Sequence, residues 1–418
     1  MPPKVTLQVT AGPIAGRTYE FLSHDTFLFG RSPDCHAELA ADDTTASRHH
    51  FLLEVNPPQA RLRDLGSLNG TTLNGVRHGG RGRQQSPEEA ARQEWPRLDL
   101  KDGDTIRVGH TVFQVQIQGG VVPPHDTDPL AALEGLLGDP EDPAPGELGG
   151  YRLERQLGRG GMGVVYLARR PHDGEPVALK VMLSQVLVDE LARAAFHREV
   201  EVTRSLQHPN IVALLDHGSE GERFYFAMEY CPGGSLDGLL RRRGGPLDLG
   251  LAGSIALQAL EGLAFAHEWG FIHRDVKPEN ILLGDAAGGG VKVTDFGLAK
   301  SFQQAGLSGM TATGMVGGTT YFMPREQLTN FRQTRPASDV WSLAATLYYL
   351  LTLQYARDFE LGQDPLAVIL RGGVVPIRER APGLPERVAA VVDRALADDL
   401  GERYATAAEF RTALAAVL

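Results

Sequence analysis

The chain has few cysteines, no excess of basic charge and no long uninterrupted apolar run. Only two cysteines, Cys35 and Cys231, occur among its 418 residues, and they lie far apart in the sequence. Two isolated cysteines form neither a disulfide framework nor the paired spacing of a structural zinc site. This usage is typical of a reducing compartment, so we expect a cytoplasmic protein.

The charge balance excludes another class of partner. The formal net charge is −11 at pH 7, whereas a nucleic-acid surface requires a basic face. The short basic run Arg241-Arg242-Arg243 is interpreted as a solvated face. The first residues lack the apolar segment of a signal peptide, and no stretch approaches the length of a membrane span. The richest apolar stretch, residues 343–353, contains polar side chains and is interpreted as a buried core helix.

The rest of the sequence divides into three zones. Residues 1–118 hold short alternating apolar runs between Gly, Asn and Asp turns, which predicts an all-β sandwich; polar residues 77–95 are treated as a surface loop. Residues 119–150 form an acidic linker rich in Pro and Gly, whose apolar island at 130–137 is either a transient helix or a docking helix. Residues 151–418 begin with strand texture and become helical. Helices are predicted at 251–269, 337–353, 385–397 and 405–417.

A glycine-rich stretch provides the first chemical signal. Gly158, Gly160 and Gly163 have the spacing G-x-G-x-x-G, which dinucleotide-binding folds share, but there the stretch opens a helix. Here the β-branched and aromatic residues 164–168 follow, so the glycines are expected to join two strands. Glycines allow backbone N–H groups to lie close over phosphates. No Walker-type lysine motif is present in the sequence.

Charged residues follow in an order suited to phosphoryl transfer. Lys180 ends the strand-like Val-Ala-Leu-Lys, and by itself it would be interpreted as a solvated edge-strand lysine. The strings H-R-D-V-K-P-E-N, with Asp275 and Asn280, and D-F-G, with Asp295, overturn that interpretation. Phosphoryl transfer needs positioned charge more than covalent chemistry. Asp275 can orient and deprotonate a hydroxyl, while Asn280 and Asp295 can hold Mg²⁺.

In this order and spacing the motifs resemble the eukaryotic-like protein kinases of the bacterial serine/threonine type, over residues 151–418. The resemblance implies an α+β two-lobed fold that uses ATP and Mg²⁺, with an N-lobe at 151–231 and a C-lobe at 232–418. It also implies that Glu199, on a helix expected at 194–206, pairs with Lys180. The fold class expected for the chain is therefore multidomain, an all-β sandwich followed by a two-lobed kinase fold.

The same resemblance assigns the other groups of the active centre. Lys277 is the serine/threonine signature and would contact the γ-phosphate; Met228 would be the gatekeeper, and Asp339 the buried anchor under the catalytic loop. Trp341 is interpreted as a core residue. The expected catalytic residues are Asp275, Lys277, Lys180 and Glu199. The expected ATP contacts are Gly158, Gly160, Gly163, Val165, Ala178, Lys180, Glu229, Cys231 and Leu282.

One segment departs from the family pattern. The family ends its activation segment with Gly-Thr-x-x-Tyr-x-Ala-Pro-Glu, whereas this chain has Gly-Thr-Thr-Tyr-Phe-Met-Pro-Arg-Glu. Aligning Thr319 with the family threonine puts Phe322 at the tyrosine position and keeps Glu326 as the acid, with Arg403 as its expected partner. A register slipped by one residue would put Arg325 opposite Arg403, so we reject it on charge.

Phosphorylation of this segment is the expected route of activation. In the family, the arginine before the catalytic aspartate, here Arg274, responds to a phosphorylated activation segment. Hydroxyl residues in a loop are often merely solvated, but phosphate adds charge and acceptors that order a loop against arginine. The hypothesis is that Thr311 and Thr313 are autophosphorylated and raise activity.

The N-terminal zone carries motifs of its own, F-G-R-S, S-R-H-H and D-L-G-S-L-N-G-T. In this order they resemble the forkhead-associated (FHA) domain, which binds phosphothreonine peptides with the loops at one end of a sandwich. The resemblance implies that Arg31 and Arg48 pair with phosphate, that Ser47 donates to it, and that Asn69 fixes the peptide backbone. Many relatives have a hydroxyl residue where Leu68 stands. Loss of that hydroxyl donor in this chain would weaken or redirect binding.

Three functions compete at this point. The first is an active kinase whose FHA domain recruits phosphorylated substrates or its own phosphorylated activation segment. The second is a phosphopeptide-dependent scaffold with an inactive kinase fold, which the retention of Lys180, Asp275, Asn280 and Asp295 disfavours. The third, a small-molecule phosphotransferase, is disfavoured by Lys277. We expect protein substrates and phosphothreonine-containing partners, and neither a nucleic acid nor a membrane span. His50 is expected to have a structural role.

Overall fold

The fold is described from a computed structural model of the full chain. The residues it describes are 3–22, 25–33, 35–81, 95–119, 146–160, 163–182, 204–220, 223–285, 290–296, 318–329, 334–359 and 365–418.

The N-terminal residues fold as a β-sandwich of two antiparallel-dominated sheets. Its strands are β1 Lys4–Ala11, β2 Thr18–Phe21, β3 Asp25–Gly30, β4 Ala37–Glu38, β5 Phe51–Asn56, β6 Gln59–Asp64, β7 Thr71–Leu73, β8 Val76–His78, β9 Arg97–Asp99, β10 Thr105–Val108 and β11 Thr111–Gln118. One sheet has the order β2-β1-β11-β10-β7-β8 and the other β4-β3-β5-β6-β9. The non-sequential order requires chain crossings between the sheets, so loops from distant parts of the sequence meet at the ends of the sandwich.

Alternation along the strands fills the sandwich core. In β1, Val5, Leu7 and Val9 are buried, as their period of two predicts. Opposite them, Phe29 stacks on Phe51 with ring centroids 4.5 Å apart, inside one apolar cluster that spans both sheets. The alternating texture therefore predicted this sandwich correctly.

The first part of the C-terminal region is a six-stranded sheet. Its strands are β12 Glu147–Leu148, β13 Tyr151–Gly160, β14 Gly163–Arg169, β15 Pro176–Met182, β16 Leu214–Glu220 and β17 Arg223–Glu229. They have the order β12-β13-β14-β15-β17-β16. The glycine-rich stretch joins β13 to β14, since Gly160 pairs with Gly163. The prediction that these glycines connect two strands, and do not open a helix, is confirmed.

A largely helical part follows. It contains the short strands β18 Gly234–Ser235, β19 Ile281–Leu283 and β20 Val291–Val293 and 3₁₀ turns at Pro278–Asn280 and Gly318–Phe322. Its helices are α1 Leu236–Arg243, α2 Leu249–Glu268, α3 Arg325–Thr329, α4 Pro336–Thr352, α5 Pro365–Arg371, α6 Ile377–Arg380, α7 Glu386–Ala395 and α8 Ala407–Ala415. All four helices predicted from periodicity are present with ends shifted by a few residues.

Local signals explain the helix ends. The Asp248 carboxylate accepts a hydrogen bond from the Leu251 N–H at 2.9 Å and caps α2, and Pro336 opens α4 at a position where no N–H is needed. The three arginines predicted to be solvated lie in the last turn of α1, where Arg241 pairs with Asp237 at 2.8 Å. Cations are favourable at that end because of the helix dipole.

A helix other than the apolar stretch noted in the sequence has the length and composition of a membrane span. Within the described residues, α2 is a helix long and apolar enough to cross a membrane, so the expectation that no stretch reaches that length was wrong. Half of its most apolar window is buried against the rest of the fold, and core helices of that kind pass the same test. The apolar stretch 343–353 lies in α4 except for Leu353 and is mostly buried, as predicted, whereas Leu353 is 37% exposed. Trp341, also in α4, is fully buried and donates to the Leu396 carbonyl at 3.0 Å.

Several predictions fall outside the described residues. They include the helix that carries Glu199, the apolar island of the linker, most of the polar loop after β8, and Thr311 and Thr313. The proposed domain limits at 118 and 150 also stay predictions.

Candidate functional site

The loop before β19 brings two predicted residues to the carboxylate of a third. The Asp275 Oδ2 atom lies 3.0 Å from the Lys277 ammonium and accepts from the Asn280 side-chain amide at 2.9 Å. The same amide donates to the Asp275 backbone carbonyl at 2.8 Å. The 3₁₀ turn at Pro278–Asn280 makes this possible, because it folds Asn280 back over the preceding residues. The carboxylate is thereby fixed, while about a quarter of the Asp275 side chain is exposed.

Asp339 anchors this loop from below. Its buried carboxylate accepts from the backbone N–H groups of His273 and Arg274 at 2.8 Å each and from His267 Nε2 at 2.8 Å. Burial alone would raise the pKa of Asp339, but the bonded and charged neighbours, His267 first, lower it. Arg274 has a φ of +68°, a conformation costly for a non-glycine residue, which the Asp339 bonds hold in place. The anchoring contact was predicted, whereas the contribution of His267 was not.

Lys180 lies across the cleft on β15. Its ammonium contacts both carboxylate oxygens of Asp295 at 2.8 Å. Desolvation opposes ionisation of Asp295, yet the Lys180 charge lowers its pKa overall. His273 supports the same segment, since its Nε2 donates to the Thr294 carbonyl at 2.7 Å and its ring packs edge-on against Phe296. The structure thus joins Lys180 to Asp295; the predicted pairing of Lys180 with Glu199 involves a residue outside the described ranges.

Apolar side chains line the region under the glycine stretch. Val165 on β14 and Ala178 on β15 belong to one cluster with Leu157 and Met228. A Cβ on Gly163 would lie 2.2 Å from the Val181 carbonyl oxygen, so only glycine permits this close strand approach. The predicted ATP-contact residues of these strands therefore share one surface. Gly158 and Gly160 lie on the adjacent strand β13.

Two of the expected ATP contacts lie at the end of β17, where Glu229 is the last residue of the strand and Cys231 follows two residues later. The Glu229 carboxylate is bound to Lys292 at 3.0 Å, which leaves backbone groups as the means of reading a nucleotide base. Cys231 is buried, and desolvation raises the pKa of its thiol to about 11, so it is not a reactive thiolate. Leu282 is partly exposed on β19, the strand that pairs with β18 on one side and β20 on the other.

The predicted magnesium ligands Asn280 and Asp295 lie on neighbouring backbone segments. The Thr294 N–H donates to the Asn280 carbonyl at 3.0 Å, which places Asp295 one residue from that contact. Because the Asn280 amide nitrogen is bound to Asp275, the side-chain oxygen is the atom offered to a cation. In the part of the chain that the structure describes, no group of three or more His, Cys, Asp or Glu side chains is placed to hold a metal. A pair of oxygen ligands fits Mg²⁺, which takes its other ligands from phosphate and water.

The departing activation-segment motif forms short local structure. The backbone of Thr319 lies in the 3₁₀ turn, and Glu326 lies in the first turn of α3. Phe322, at the family tyrosine position, is buried and packs edge-on against Tyr349, 5.7 Å away between ring centroids. Arg403 is buried and donates to the Ala337 carbonyl at 3.0 Å. The contact between Glu326 and Arg403 stays a prediction.

Loops of the sandwich bring together most of the predicted phosphopeptide residues. The Ser47 hydroxyl accepts from the Leu68 N–H at 2.9 Å, and the Asn69 side-chain amide donates to the Thr45 carbonyl at 2.8 Å. The Arg31 guanidinium donates to the Ala46 carbonyl at 3.0 Å. Ser47, Asn69 and Arg31 therefore share one end of the sandwich.

Two residues beside Ser47 are exposed. Arg48 is exposed, and its backbone carbonyl accepts from the Ser32 N–H at 3.0 Å. Leu68 is 40% exposed beside Ser47 and presents an apolar side chain at the loop tip.

Buried polar side chains support these loops. His50 is fully buried; its Nδ1 accepts from the Ser47 N–H at 2.9 Å and its Nε2 donates to the Gly70 carbonyl at 3.2 Å. Its structural role, expected from the sequence, is confirmed, and burial lowers its pKa. Asp64 was missed by sequence reasoning, although it accepts from the Ser67 N–H and hydroxyl at 2.8 and 2.7 Å. Its place three residues before a serine, in a glycine-rich turn, is the signal that could have identified it.

Family models match both regions. Residues 151–408 match the protein kinase domain and residues 27–109 match the FHA domain. The kinase match covers more than half of the chain.

Named relatives and solved structures agree with these matches. The kinase PknJ of Mycobacterium tuberculosis is 37% identical over 275 residues, covering 64% of this chain and 45% of PknJ. PknK of the same species is 40% identical over 287 residues, covering 68% of this chain and 25% of PknK. The chain therefore spans less than half the length of these relatives.

The solved structures show the fold. The kinase domain of Mycobacterium tuberculosis PknI matches with a TM-score of 0.50 and 26% identity, over 65% of this chain and 98% of that one. Residues 1–466 of Rad53 match with a TM-score of 0.51 and 24% identity, over 98% of each chain, which shows likeness of fold. The chain belongs to the protein kinase family and carries an FHA domain ahead of its kinase domain.

Proposed function

We propose that this chain transfers the γ-phosphate of ATP to serine and threonine hydroxyls of proteins. The convergence of Lys277 and Asn280 on the Asp275 carboxylate is the observation that carries the proposal. A carboxylate fixed in this way, and still partly exposed, can receive a hydroxyl and accept its proton. The relatives of this region are named serine/threonine-protein kinases, which supports the substrate class.

The remaining residues of the cleft have roles in binding ATP. Lys180 neutralises phosphate charge, as its present pairing with the Asp295 carboxylate illustrates. Val165, Ala178 and Leu282 offer apolar surface to the adenine, while the backbone from Glu229 to Cys231 reads its edge. Asn280 and Asp295 would hold Mg²⁺, which neutralises phosphate charge when bound.

Activation is proposed to proceed by autophosphorylation of Thr311 and Thr313. Arg274 is held beside the catalytic aspartate by Asp339 and is the expected partner of a phosphorylated activation segment. Glu199, Thr319 and Glu326 keep the roles that the family resemblance gives them. We place this activity in the cytoplasm, as the cysteine usage suggests.

The kinase proposal is tested by ADP release and phosphate transfer to casein as a generic protein substrate. Wild type should turn over in the presence of ATP and Mg²⁺, and Asp275→Asn should lose about 10²–10⁴-fold in kcat, the usual contribution of a general base. ATP affinity of the variant should stay within about threefold of wild type, which separates lost chemistry from lost binding. If the wild type binds ATP but is inactive, the alternative of a phosphopeptide-dependent scaffold with an inactive kinase fold is favoured.

We propose that the FHA domain reads phosphothreonine in partner proteins or in the chain's own activation segment. Arg31, Ser47 and Asn69 converge at one end of the sandwich, and Arg48 adds an exposed guanidinium. Charge-assisted hydrogen bonds from such groups are the usual means of capturing a phosphate. The test is enrichment from a phosphothreonine peptide library on the full chain. Capture of phosphorylated over unphosphorylated peptides supports the proposal, and equal capture contradicts it.

A further inference from the structure

One buried carboxylate in the FHA domain accepts several hydrogen bonds, although no role has been assigned to it. Asp43 lies in the loop between β4 and β5, and its side chain is fully buried. It accepts from the Thr45 N–H at 3.1 Å, from the Thr45 hydroxyl, and from the His110 N–H at 2.9 Å. The His110 Nδ1 atom adds a fourth contact at 3.0 Å. Two loops distant in sequence are thus joined through a single side chain.

The turn between β10 and β11 is shaped to receive this carboxylate. Gly109, in that turn, has a φ of +55°, and a Cβ there would lie 2.7 Å from Asp43 Oδ2 and 2.5 Å from the Thr45 hydroxyl. Glycine is therefore needed for both the conformation and the close approach. Burial alone would raise the pKa of Asp43, but its hydrogen bonds lower that pKa to about 2, so the group is ionised at physiological pH.

The loop fixed by Asp43 is the one that carries the predicted phosphopeptide residues. The Thr45 carbonyl accepts the Asn69 amide at 2.8 Å, and the next carbonyl, of Ala46, accepts the Arg31 guanidinium at 3.0 Å. Ser47 is the next residue along the chain. Displacing Thr45 would therefore move the acceptors that orient Asn69 and Arg31.

Apart from its contacts to this loop, the His110 side chain is mostly exposed to solvent. Its side chain is 69% exposed, and its contacts to Asp43 and, at 3.3 Å, to the Thr45 hydroxyl are the ones that connect it to the loop. A substitution there removes little buried surface, so its effect on folding should be small.

We infer that Asp43 and His110 are positioning residues for phosphopeptide recognition, which lock the loop of Thr45 to Ser47 against the turn at Gly109. They act through Thr45 on Asn69 and do not touch the peptide. This inference rests on the proposed function of the FHA domain. It assigns part of the affinity for phosphopeptides to a turn that lies outside the binding residues named by the family resemblance.

The experiment measures the affinity of the full chain for a phosphothreonine peptide enriched on the wild type, by fluorescence anisotropy. His110→Ala should raise Kd about fivefold, because one bond to a charged acceptor is lost. His110→Asn places an amide donor where Nδ1 stood and should stay within about twofold of wild type. Unfolding temperatures of both variants should match the wild type, which excludes a folding defect as the cause.

A double-mutant cycle with Asn69→Ala tests the route. If His110 acts through Thr45 on Asn69, His110→Ala should change Kd by less than about twofold once Asn69 is removed. Additive effects, or an unchanged Kd for His110→Ala alone, would overturn the inference. A wild type that binds phosphorylated and unphosphorylated peptides equally would instead contradict the proposed function of the domain, so the two failures are distinguishable.

Discussion

The two regions proposed to handle phosphate hold their polar side chains in different ways. In the FHA domain, Ser47, Asn69 and Arg31 are bonded to backbone groups of neighbouring loops. In the kinase cleft, Lys180 is bonded to Asp295, side chain to side chain. A site fixed by backbone is preformed for its ligand, whereas a site of mutual ion pairs exchanges partners when phosphate and cation enter. The FHA domain should therefore lose affinity in modest steps, and the cleft should lose rate in large ones.

The largest effect is expected at Asp339. Asp339→Asn would turn an amide toward backbone donors now bonded to a carboxylate, and breaking such a buried charged network costs about 3–5 kcal/mol. Unfolding by urea should show the loss, and kcat should fall with it because Arg274 loses its support. Asp173→Asn, which removes an exposed carboxylate paired with Arg170, serves as the control and should leave both quantities unchanged. Wild-type stability of Asp339→Asn would refute the anchoring role.

The next effect is expected at Lys180. Lys180→Met should lower kcat about 10²–10³-fold, because one preorganised charge toward the transferring phosphate is lost. Steady-state ADP release measures it. Arg169→Met breaks an ion pair of the same 2.8 Å length on the adjacent strand β14 and should leave kcat near the wild-type value. Equal activities of the two variants would mean that Lys180 is an ordinary structural lysine.

A smaller effect is expected in the FHA domain. Ser47→Ala should raise Kd for a phosphothreonine peptide about tenfold, the value of one hydrogen bond to a charged group. Thr10→Ala removes a hydroxyl from β1 and should not change Kd. Fluorescence anisotropy on the full chain measures Kd for both variants. A loss of affinity of 10³-fold or more for Ser47→Ala would contradict the expected difference between the two regions, because the FHA domain would then depend on single groups as the kinase cleft does.

The smallest effect is a pH dependence. Burial lowers the pKa of His50 despite the nearby carboxylates of Asp64 and Asp43, so the neutral form is favoured in the fold. The unfolded chain has the ordinary pKa of about 6.5. The contribution of neutral His50 to the free energy of unfolding is therefore fully present above that pH. It is lost as the pH falls below about 6.5 toward the folded pKa, by up to about 1.4 kcal/mol per pH unit.

Amide exchange in β5, corrected for intrinsic rates, measures this change in the full chain between pH 7.5 and 5.5. His50→Asn retains an acceptor for the Ser47 N–H and should show a flatter response. His172→Asn, at an exposed position, should behave like the wild type. A response of His50→Asn as steep as that of the wild type would assign the pH dependence to another group.

The sequence predicted much of this architecture for physical reasons. Period-two burial in β1 and the strand residues after Gly163 indicated the sheets, and the order of Lys180, Asp275 and Asp295 indicated the chemistry. These signals are local or depend on spacing along the chain.

Contacts between residues that are distant in the sequence could not be predicted from such local signals. Asp43 meets His110 across 67 residues, and His267 meets Asp339 across 72, with no motif linking either pair. The overall apolar character of α2 was also missed, because polar residues interrupt its apolar run. Side chains that support a site from behind are set by the packing of distant elements, which spacing does not encode.

The central claim is that this chain is an active protein kinase, and phosphate mapping tests it most directly. Purified wild type and Asp275→Asn are incubated with ATP and Mg²⁺, and phosphorylated residues are located by mass spectrometry. The account predicts phosphate on serine or threonine of the wild type, including Thr311 or Thr313, and none on the variant. Equal phosphate on both proteins, or none on either together with no labelling of casein, would contradict it.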